Sequence, residues 1–310
     1  MSTLLVTHPA CLAHEPGEHH PERPDRLRAI MAALDDEAFA GLARREAPRA
    51  TTEELTRVHP ADYVEAILNV RPPPDELAMI DGDTLMSAGS AEAALRAAGA
   101  VVAGVDAVLG GKAKNAFAAV RPPGHHATPD TPGGFCLFNN VAIGARHAQA
   151  RYGAGRVAIL DFDVHHGQGT QAVVEVDPSL FYGSTHQYPL YPGTGSARER
   201  GVDNNVANVP LGPNSGSDEF RFAWGERILP ALDRFAPELV IVSAGFDAHL
   251  RDPLAQLRLA TEDFRWITDE LLAIAGRHAK GRLVSALEGG YDLEALAAST
   301  TAHVRALMRA

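Results

Sequence analysis

The chain alternates between short apolar runs and longer segments in which apolar residues recur every three or four positions. The apolar runs have the length and composition of strands buried on both faces, and they lie at 115–120, 156–160, 180–184, 238–243 and 282–287. The segments with helical spacing lie at 140–151, 168–176, 219–235, 262–278 and, after an Asp292 N-cap, 293–308. Alternating strands and helices predict an α/β three-layer sandwich, with a central, mainly parallel sheet flanked by helices.

Nothing in the sequence divides the chain into separate domains. There is no repeat period and no Ser/Gly tract, and the stiffest break is the triple proline at 72–74. The part before it is too short to form a good core alone. We therefore expect one domain over residues 1–310, in which the stretch between Pro60 and Ser90 shapes the rim of the site.

Charge and cysteine content narrow the classes of function. The formal net charge is −11 and no basic block offsets it, so binding to nucleic acid phosphates or to anionic lipid is not expected. Cys11 and Cys136 are the only cysteines, which excludes a disulfide framework and a cysteine zinc cluster.

Neither a secretory signal nor a membrane span is indicated. The first seven residues lack a basic start, an apolar stretch and a cleavage site. The Ala-rich run 91–109 is the best candidate for a span, but it contains Glu92, Arg96 and Asp106. These observations favour a cytoplasmic protein.

Polar residues follow two of the predicted strands and suggest a metal site. Asp161, Asp163 and His165 follow the strand at 156–160, and alternation along an extended chain puts all three on one side. A divalent cation would offset the cost of burying them, whereas helix caps plus a surface histidine would explain single residues but not the whole run. Asp247, after the strand at 238–243, can supply a further ligand, although alone it would most often be an N-cap. Two carboxylates and one imidazole leave a coordination position open, as in catalytic zinc sites.

Two other strand ends carry candidate catalytic groups. Arg121-Pro-Pro-Gly precedes the pair His125 and His126, which can serve as general acid and base near neutral pH. Gly289 and Gly290 precede Tyr291, whose hydroxyl can donate to a developing oxyanion, a contribution of about 3 kcal/mol. Taken singly, each histidine would be structural and Tyr291 a packed residue before a helix cap.

These motifs resemble the zinc-dependent histone deacetylase family, and most closely its class II and bacterial deacetylase-like amidohydrolase branch. The matching segments run in order along the chain: HPERPDRL at 20–27, RPPGHHA at 121–127, GFCLFNN at 134–140, DFDVHHGQGT at 161–170, SAGFDA at 243–248 and LEGGYDL at 287–293. The resemblance implies an arginase/deacetylase-type fold.

The resemblance also implies roles for individual residues. Asp163, His165 and Asp247 would bind zinc, with ferrous iron as the alternative metal. His126 would be the principal general base and then acid, His125 its electrostatic partner oriented by Asp161, and Tyr291 would polarise the scissile carbonyl. The implied acyl tunnel consists of Gly134, Phe135 and Tyr191, with Leu254 at its mouth and Asp83 on its rim. A structural potassium ion is implied near Asp161, Asp163, His165 and Ser184.

Three positions bear on how far the family pattern applies. Gln168 stands where Asp or Asn usually supports the second histidine, and a neutral amide stabilises an imidazolium less than a carboxylate does. Tyr191 stands where Phe is more common and can add a polar contact. Leu254 resembles the apolar residue of lysine deacetylases and not the Glu of one polyamine-specific branch.

The predicted activity is hydrolysis of an acylated lysine side chain in a protein or peptide, by metal-activated water. Deacetylation of acetylated polyamines or other small N-acyl amines is the alternative. A catalytically inactive acyl-group binder and a dinuclear manganese enzyme of arginase type fit the motifs less well. The substrate is the expected partner, and self-association into a homo-oligomer is left open.

Overall fold

A sheet of eight strands forms the centre of the molecule, and every neighbouring pair in it is parallel. The computed structural model describes residues 2–310. The strands of this sheet are β1 (Leu4–Thr7), β2 (Ala43–Glu46), β5 (Asn115–Ala118), β6 (Val157–Asp161), β7 (Leu180–Gln187), β8 (Val206–Leu211), β9 (Leu239–Ala244) and β10 (Leu283–Leu287). Their order across the sheet is β2-β1-β5-β10-β9-β6-β7-β8. A separate antiparallel pair consists of β3 (Ala78–Met79) and β4 (Leu85–Met86).

Two groups of helices cover the sheet. The helices are α1 (Asp25–Leu34), α2 (Thr52–Leu55), α3 (Ala61–Asn69), α4 (Ser90–Leu109), α5 (Asn140–Tyr152), α6 (Gln168–Val174), α7 (Ser217–Ala223), α8 (Leu229–Phe235), α9 (Thr261–His278) and α10 (Leu293–Arg309). Helices α4 and α5 contact each other and the central strands, while α1, α10, α9 and α8 contact one another in that order. The predicted α/β sandwich is therefore confirmed.

The predicted central elements correspond to observed ones within a few residues. The segment predicted as one helix over 219–235 is a continuous helical stretch in which a π-helical turn, Trp224–Ile228, joins α7 to α8. The Ala-rich run became α4, which is buried along most of its length against the sheet and α5. Its apolar composition therefore serves packing, and no helix within residues 2–310 is long and apolar enough to cross a membrane.

The parallel arrangement brings four strand ends to one edge of the sheet. In the register of β6 and β9, Asp161 is paired with Ser243, and in that of β9 and β10, Ala244 is paired with Leu287. Strand β5 lies beside β10 and ends at Ala118. Because these carboxyl ends lie side by side, the loops that follow them meet above the middle of the sheet, where α/β proteins place their ligands.

Candidate active site

Asp163, His165 and Asp247 come together above β6 and β9. One ligand atom from each lies within 4.8 Å of the other two. His165 Nδ1 is 3.1 Å from Asp163 Oδ1 and 3.2 Å from Asp247 Oδ2. Both carboxylates are buried, and the imidazole is 12% exposed. Within residues 2–310 no other group of three His, Cys, Asp or Glu side chains is arranged to share an ion.

The arrangement of these three donors fits a divalent cation. Asp247 Oδ2 is buried and receives no well-aligned hydrogen bond, so a ligand atom is left without a partner. Burial and the nearby Asp163 raise the pKa of Asp247 to about 6, since two buried carboxylates repel each other. An ion would remove both costs, and two carboxylates with one imidazole suit zinc or ferrous iron.

Glycines keep the space beside the ligands open. A Cβ atom on Gly245 would lie 2.0 Å from Asp163 Oδ2, and one on Gly289 would lie 2.0 Å from Asp247 Oδ2. The Gly289 amide also donates to Asp163 Oδ2 at 2.8 Å. The loop after β10 therefore holds a carboxylate in place with its backbone, and any side chain at these positions would displace the ligands.

The sequence predicts that Asp161, Asp163 and His165 point to the same side of an extended chain, but the turn after β6 separates Asp161 from the other two. Strand β6 ends at Asp161, so strict alternation does not continue through the turn. Asp161 Oδ1 accepts from the Asp163 amide at 3.1 Å, and its Oδ2 lies 2.9 Å from His125 Nδ1. The side chain of Asp161 thus contacts His125, as expected, and lies outside the group of three ligands.

The paired histidines have different partners and opposite pKa shifts. Burial alone would lower the pKa of His125, but the carboxylates of Asp161 and Asp163 raise it well above the usual range. Burial, together with the positive charges of His125 and His165, lowers the pKa of His126 well below that range. The two rings are 4.0 Å apart, so a proton held on His125 disfavours a second one on His126.

Gln168 determines which nitrogen of His126 is free. The Gln168 Nε2 donates to the His126 carbonyl at 3.1 Å, which turns Oε1 toward the ring. Gln168 Oε1 then accepts from His126 Nδ1 at 2.6 Å. Since the proton is on Nδ1, Nε2 of His126 is unprotonated and able to accept one.

Tyr291 is held by a buried arginine from the amino-terminal part of the chain. The Arg26 guanidinium lies 5.0 Å from the centre of the Tyr291 ring, and Arg26 Nε donates to the Gly290 carbonyl at 2.6 Å. Burial and nearby carboxylates outweigh Arg26 and raise the pKa of Tyr291 well above its usual range. The hydroxyl therefore keeps its proton and can act as a hydrogen-bond donor.

A cavity of about 240 Å³ joins these groups to the surface. Its lining contains all five residues predicted for the tunnel and its rim, and consists of Asp83, Pro123, His125, His126, Gly134, Phe135, His165, Leu190, Tyr191, Leu254, Gly289 and Tyr291. The rings of His126 and Tyr191 are 5.0 Å apart, and those of Phe135 and Tyr291 are 6.1 Å apart. Asp83 Oδ1 also accepts from the Gly134 amide at 3.2 Å, so the rim residue supports the tunnel wall.

Several supporting residues were not assigned a role from the sequence. Tyr182 donates to Asp161 Oδ2 at 3.0 Å, and Glu288 Oε2 accepts from the Gly124 amide at 2.6 Å. Arg26 lies in the HPERPDRL segment and Glu288 in the LEGGYDL segment. Their place in these motifs is the sequence signal that indicates a role for them. Ser184 is buried and its hydroxyl contacts His186 Nδ1 at 2.9 Å.

Known proteins share this arrangement of sequence and fold. The chain matches the histone deacetylase domain family over residues 20–307. It is 42% identical over 278 residues to a histone deacetylase-like amidohydrolase of Pseudomonas aeruginosa, covering 88% of this chain and 73% of that relative. A probable deacetylase of Archaeoglobus fulgidus is 38% identical over 300 residues, covering 95% and 82% of the two chains. The crystal structure of the HDA15 HD domain aligns with a TM-score of 0.93 and 37% identity over 99% of this chain and 88% of that one.

Proposed function

The chain belongs to the histone deacetylase family and is a hydrolase of amide bonds, and we propose that it removes acetyl or other short acyl groups from lysine side chains. The observation that carries this proposal is that His126, Tyr291 and His165, which belongs to the group of three metal-type ligands, line one narrow cavity together. Each of these groups has a separate task in amide hydrolysis.

Asp163, His165 and Asp247 would hold one zinc ion, or ferrous iron as the alternative. When bound, the ion would supply a Lewis acid for the amide carbonyl and would lower the pKa of a nearby water molecule. The three side chains would fix where the reaction takes place, because His165 lines the cavity and the two carboxylates lie against it. We also propose a structural potassium ion near Asp161, Asp163, His165 and Ser184, a placement supported by the pairing of Asp161 with Ser184 across β6 and β7.

His126 would move the proton. Its Nε2 would accept a proton from the attacking water and then donate it to the leaving amine, so one group serves as base and acid in turn. His125, held by Asp161, would contribute a fixed positive charge next to the developing negative charge. The low pKa of His126 keeps it neutral before the reaction and makes it a strong acid after it has accepted the proton.

Tyr291 would donate its hydroxyl hydrogen to the carbonyl oxygen as negative charge develops there. Such a donor contributes about 3 kcal/mol of transition-state stabilisation. Phe135 and Tyr191 would enclose the methylene chain of the lysine, since both line the cavity. Asp83 would accept from the substrate backbone at the rim, and Leu254 would lie beside the point of entry.

Acetylated polyamines or other small N-acyl amines are the second candidate substrates. The acidic side chain of Asp83 in the cavity lining and the net charge of −11 would favour a cationic amine. Leu254 supports a peptide substrate, because no carboxylate stands at that position to bind a distal ammonium. A cytoplasmic location is a further prediction from the sequence.

Kinetics on metal-loaded enzyme test the proposal. We expect kcat/KM for an acetyl-lysine peptide to exceed that for N-acetylputrescine by at least about tenfold, a difference of about 1.4 kcal/mol. The reverse preference would assign the enzyme to small amines. Binding of both compounds without hydrolysis would instead identify a catalytically inactive acyl-group binder.

A further inference from the structure

We propose that Asp252 is a positioning residue that fixes the direction of the Tyr291 side chain. This inference rests on the proposed role of Tyr291 as a hydrogen-bond donor. Asp252 lies in the loop after β9 and Tyr291 in the loop after β10, so the contact joins two strand ends. Asp252 is only 9% exposed, and none of the sequence motifs gave it a role.

The Asp252 carboxylate accepts two backbone hydrogen bonds. Its Oδ2 accepts from the Tyr291 amide at 2.8 Å, and its Oδ1 accepts from the Leu254 amide at 3.0 Å. Leu254 and Tyr291 both line the cavity. One buried side chain therefore sets the backbone position of a residue at the mouth and of the proposed hydroxyl donor.

The backbone before Tyr291 needs external support. Gly289 and Gly290 precede it, and Gly290 has a φ of 125°, a backbone conformation that glycine adopts readily and other residues rarely adopt. This stretch lies between β10 and α10, and other loops hold its first part: the Gly289 carbonyl accepts from the Phe246 amide at 2.9 Å, and the Gly289 amide donates to Asp163 Oδ2 at 2.8 Å. A phenol at the end of such a segment would occupy several positions unless its peptide group were fixed.

Arg26 and Asp252 hold the two ends of the same peptide unit. Arg26 Nε donates to the carbonyl of Gly290, and Asp252 accepts from the amide of Tyr291. These two backbone groups belong to the same peptide bond. Because a peptide unit is planar, fixing its oxygen and its hydrogen fixes the plane. What remains free in Tyr291 is rotation about its N–Cα bond and within its side chain, and the Arg26 guanidinium covers one face of that ring.

A carboxylate suits this position better than any other side chain of similar size. Two backbone N–H groups require two acceptors, and a carboxylate offers one oxygen to each. The isosteric amide offers one acceptor and presents its NH2 group to the other N–H. Asp252→Asn therefore keeps the volume while breaking one of the two hydrogen bonds.

A double-mutant cycle with Tyr291→Phe tests the inference. We expect Asp252→Ala to lower kcat for an acetyl-lysine peptide by about 10- to 100-fold, as a small misplacement of a catalytic group does. In the Tyr291→Phe background the same substitution should change kcat by less than about twofold, because the group it positions is gone. Metal content, measured by elemental analysis, should be unchanged in all four proteins.

The outcomes separate this inference from the proposed function. If Asp252→Ala lowers kcat equally in both backgrounds, Asp252 does not act through Tyr291 and the inference is wrong. If Tyr291→Phe alone retains the wild-type rate, the proposed role of Tyr291 fails first. Should Asp252→Ala not fold, Asp252→Asn is used in the same cycle and is expected to give a smaller effect in the same direction.

Asp292→Ala is the matched control. Asp292 follows Tyr291 directly and caps α10 by accepting from the Ala295 amide at 2.8 Å, but it does not contact the Gly290–Tyr291 peptide. Its loss should lower the melting temperature and leave kcat within about twofold. A fall in kcat equal to that of Asp252→Ala would mean that general loosening of this loop is responsible, which would overturn the inference.

Discussion

At the scale of single residues, the site depends on two neighbouring histidines being held in different protonation states. His125 and His126 are adjacent in sequence, but carboxylates surround one and an amide contacts the other. The protonation of each histidine is therefore set by its neighbours and not by its residue type. Single substitutions at these neighbours should change the chemistry with little effect on the fold.

Replacing the proposed oxyanion donor should reduce turnover with no loss of metal. Tyr291→Phe removes the hydroxyl and keeps the ring that Arg26 covers. We expect kcat to fall by at least about 100-fold, the equivalent of about 3 kcal/mol. Steady-state kinetics and elemental analysis measure the two quantities, and a variant with wild-type kcat would contradict the assigned role.

Gln168 offers a test of how His126 is tuned. In Gln168→Glu a carboxylate would face His126 Nδ1 and raise its pKa. A general base must be unprotonated before the reaction, so a higher pKa moves the acidic limb of the kcat/KM profile to higher pH. Gln149→Glu adds the same charge away from the cavity, beside Ser179, and should leave the profile in place. An unshifted acidic limb in Gln168→Glu would argue against His126 as the base.

At the scale of elements, the loops at the strand ends depend on the absence of side chains. A Cβ on Gly289 would lie 2.0 Å from Asp247 Oδ2 and 2.6 Å from Asp163 Oδ2. We expect Gly289→Ala to displace one of the ligands and to weaken metal binding by at least about tenfold, as measured by competition with a chelator. Gly276→Ala in α9 is the control, because nothing lies within 4 Å of its added Cβ. Unchanged metal affinity in Gly289→Ala would mean that the loop can relax.

The central elements were predictable from sequence and the edges were not. Strands β6, β9 and β10 are buried along their whole length, so their composition is nearly uniform and apolar. Strand β2 is the Ala43–Glu46 segment at the edge of the sheet, and its charged, mostly exposed side chains give no strand pattern. Burial leaves a signal in the sequence, whereas backbone pairing at an exposed edge does not.

The residues of the site likewise fall into a group that the sequence indicated and a group that it did not. Its ligands and proton-transfer groups could be proposed because each follows a recognisable strand. Arg26 and Asp252 could not be assigned, because Arg26 meets Gly290 across 264 positions of sequence and Asp252 meets Tyr291 across 39. Such contacts depend on how the loops approach one another in three dimensions.

At the scale of the whole molecule, buried histidines make the fold sensitive to acid. Burial lowers the pKa of His59 and His166 to about 4, and that of His186 and His303 to about 3. An unfolded histidine binds its proton near pH 6.5, so between this pH and the lower folded value the unfolded state holds more protons. The contribution of these residues to stability is full above pH 6.5 and is lost progressively as the pH falls toward 4.

His303 provides the test of this pH dependence. Its ring is buried, and each ring nitrogen contacts one hydroxyl: Nδ1 lies 2.7 Å from Thr268 Oγ1, and Nε2 lies 2.8 Å from Ser285 Oγ. In His303→Leu the slope of unfolding free energy against pH, between pH 4 and 6, should fall by about 1.4 kcal/mol per pH unit. Urea denaturation across this range measures the slope, with His19→Leu at an exposed position as the control. An unchanged slope would mean that His303 is protonated in the folded protein.

The order of strands in the sheet also has a consequence for synthesis of the protein. Strand β10 is the last of the ten to leave the ribosome, yet it lies between β5 and β9, in the middle of the sheet. Until it is inserted, β5 and β9 each present an unpaired inner edge to other nascent chains. A chain interrupted before Leu283 would therefore be both inactive and prone to aggregate, whatever fraction of the ligands it already contained.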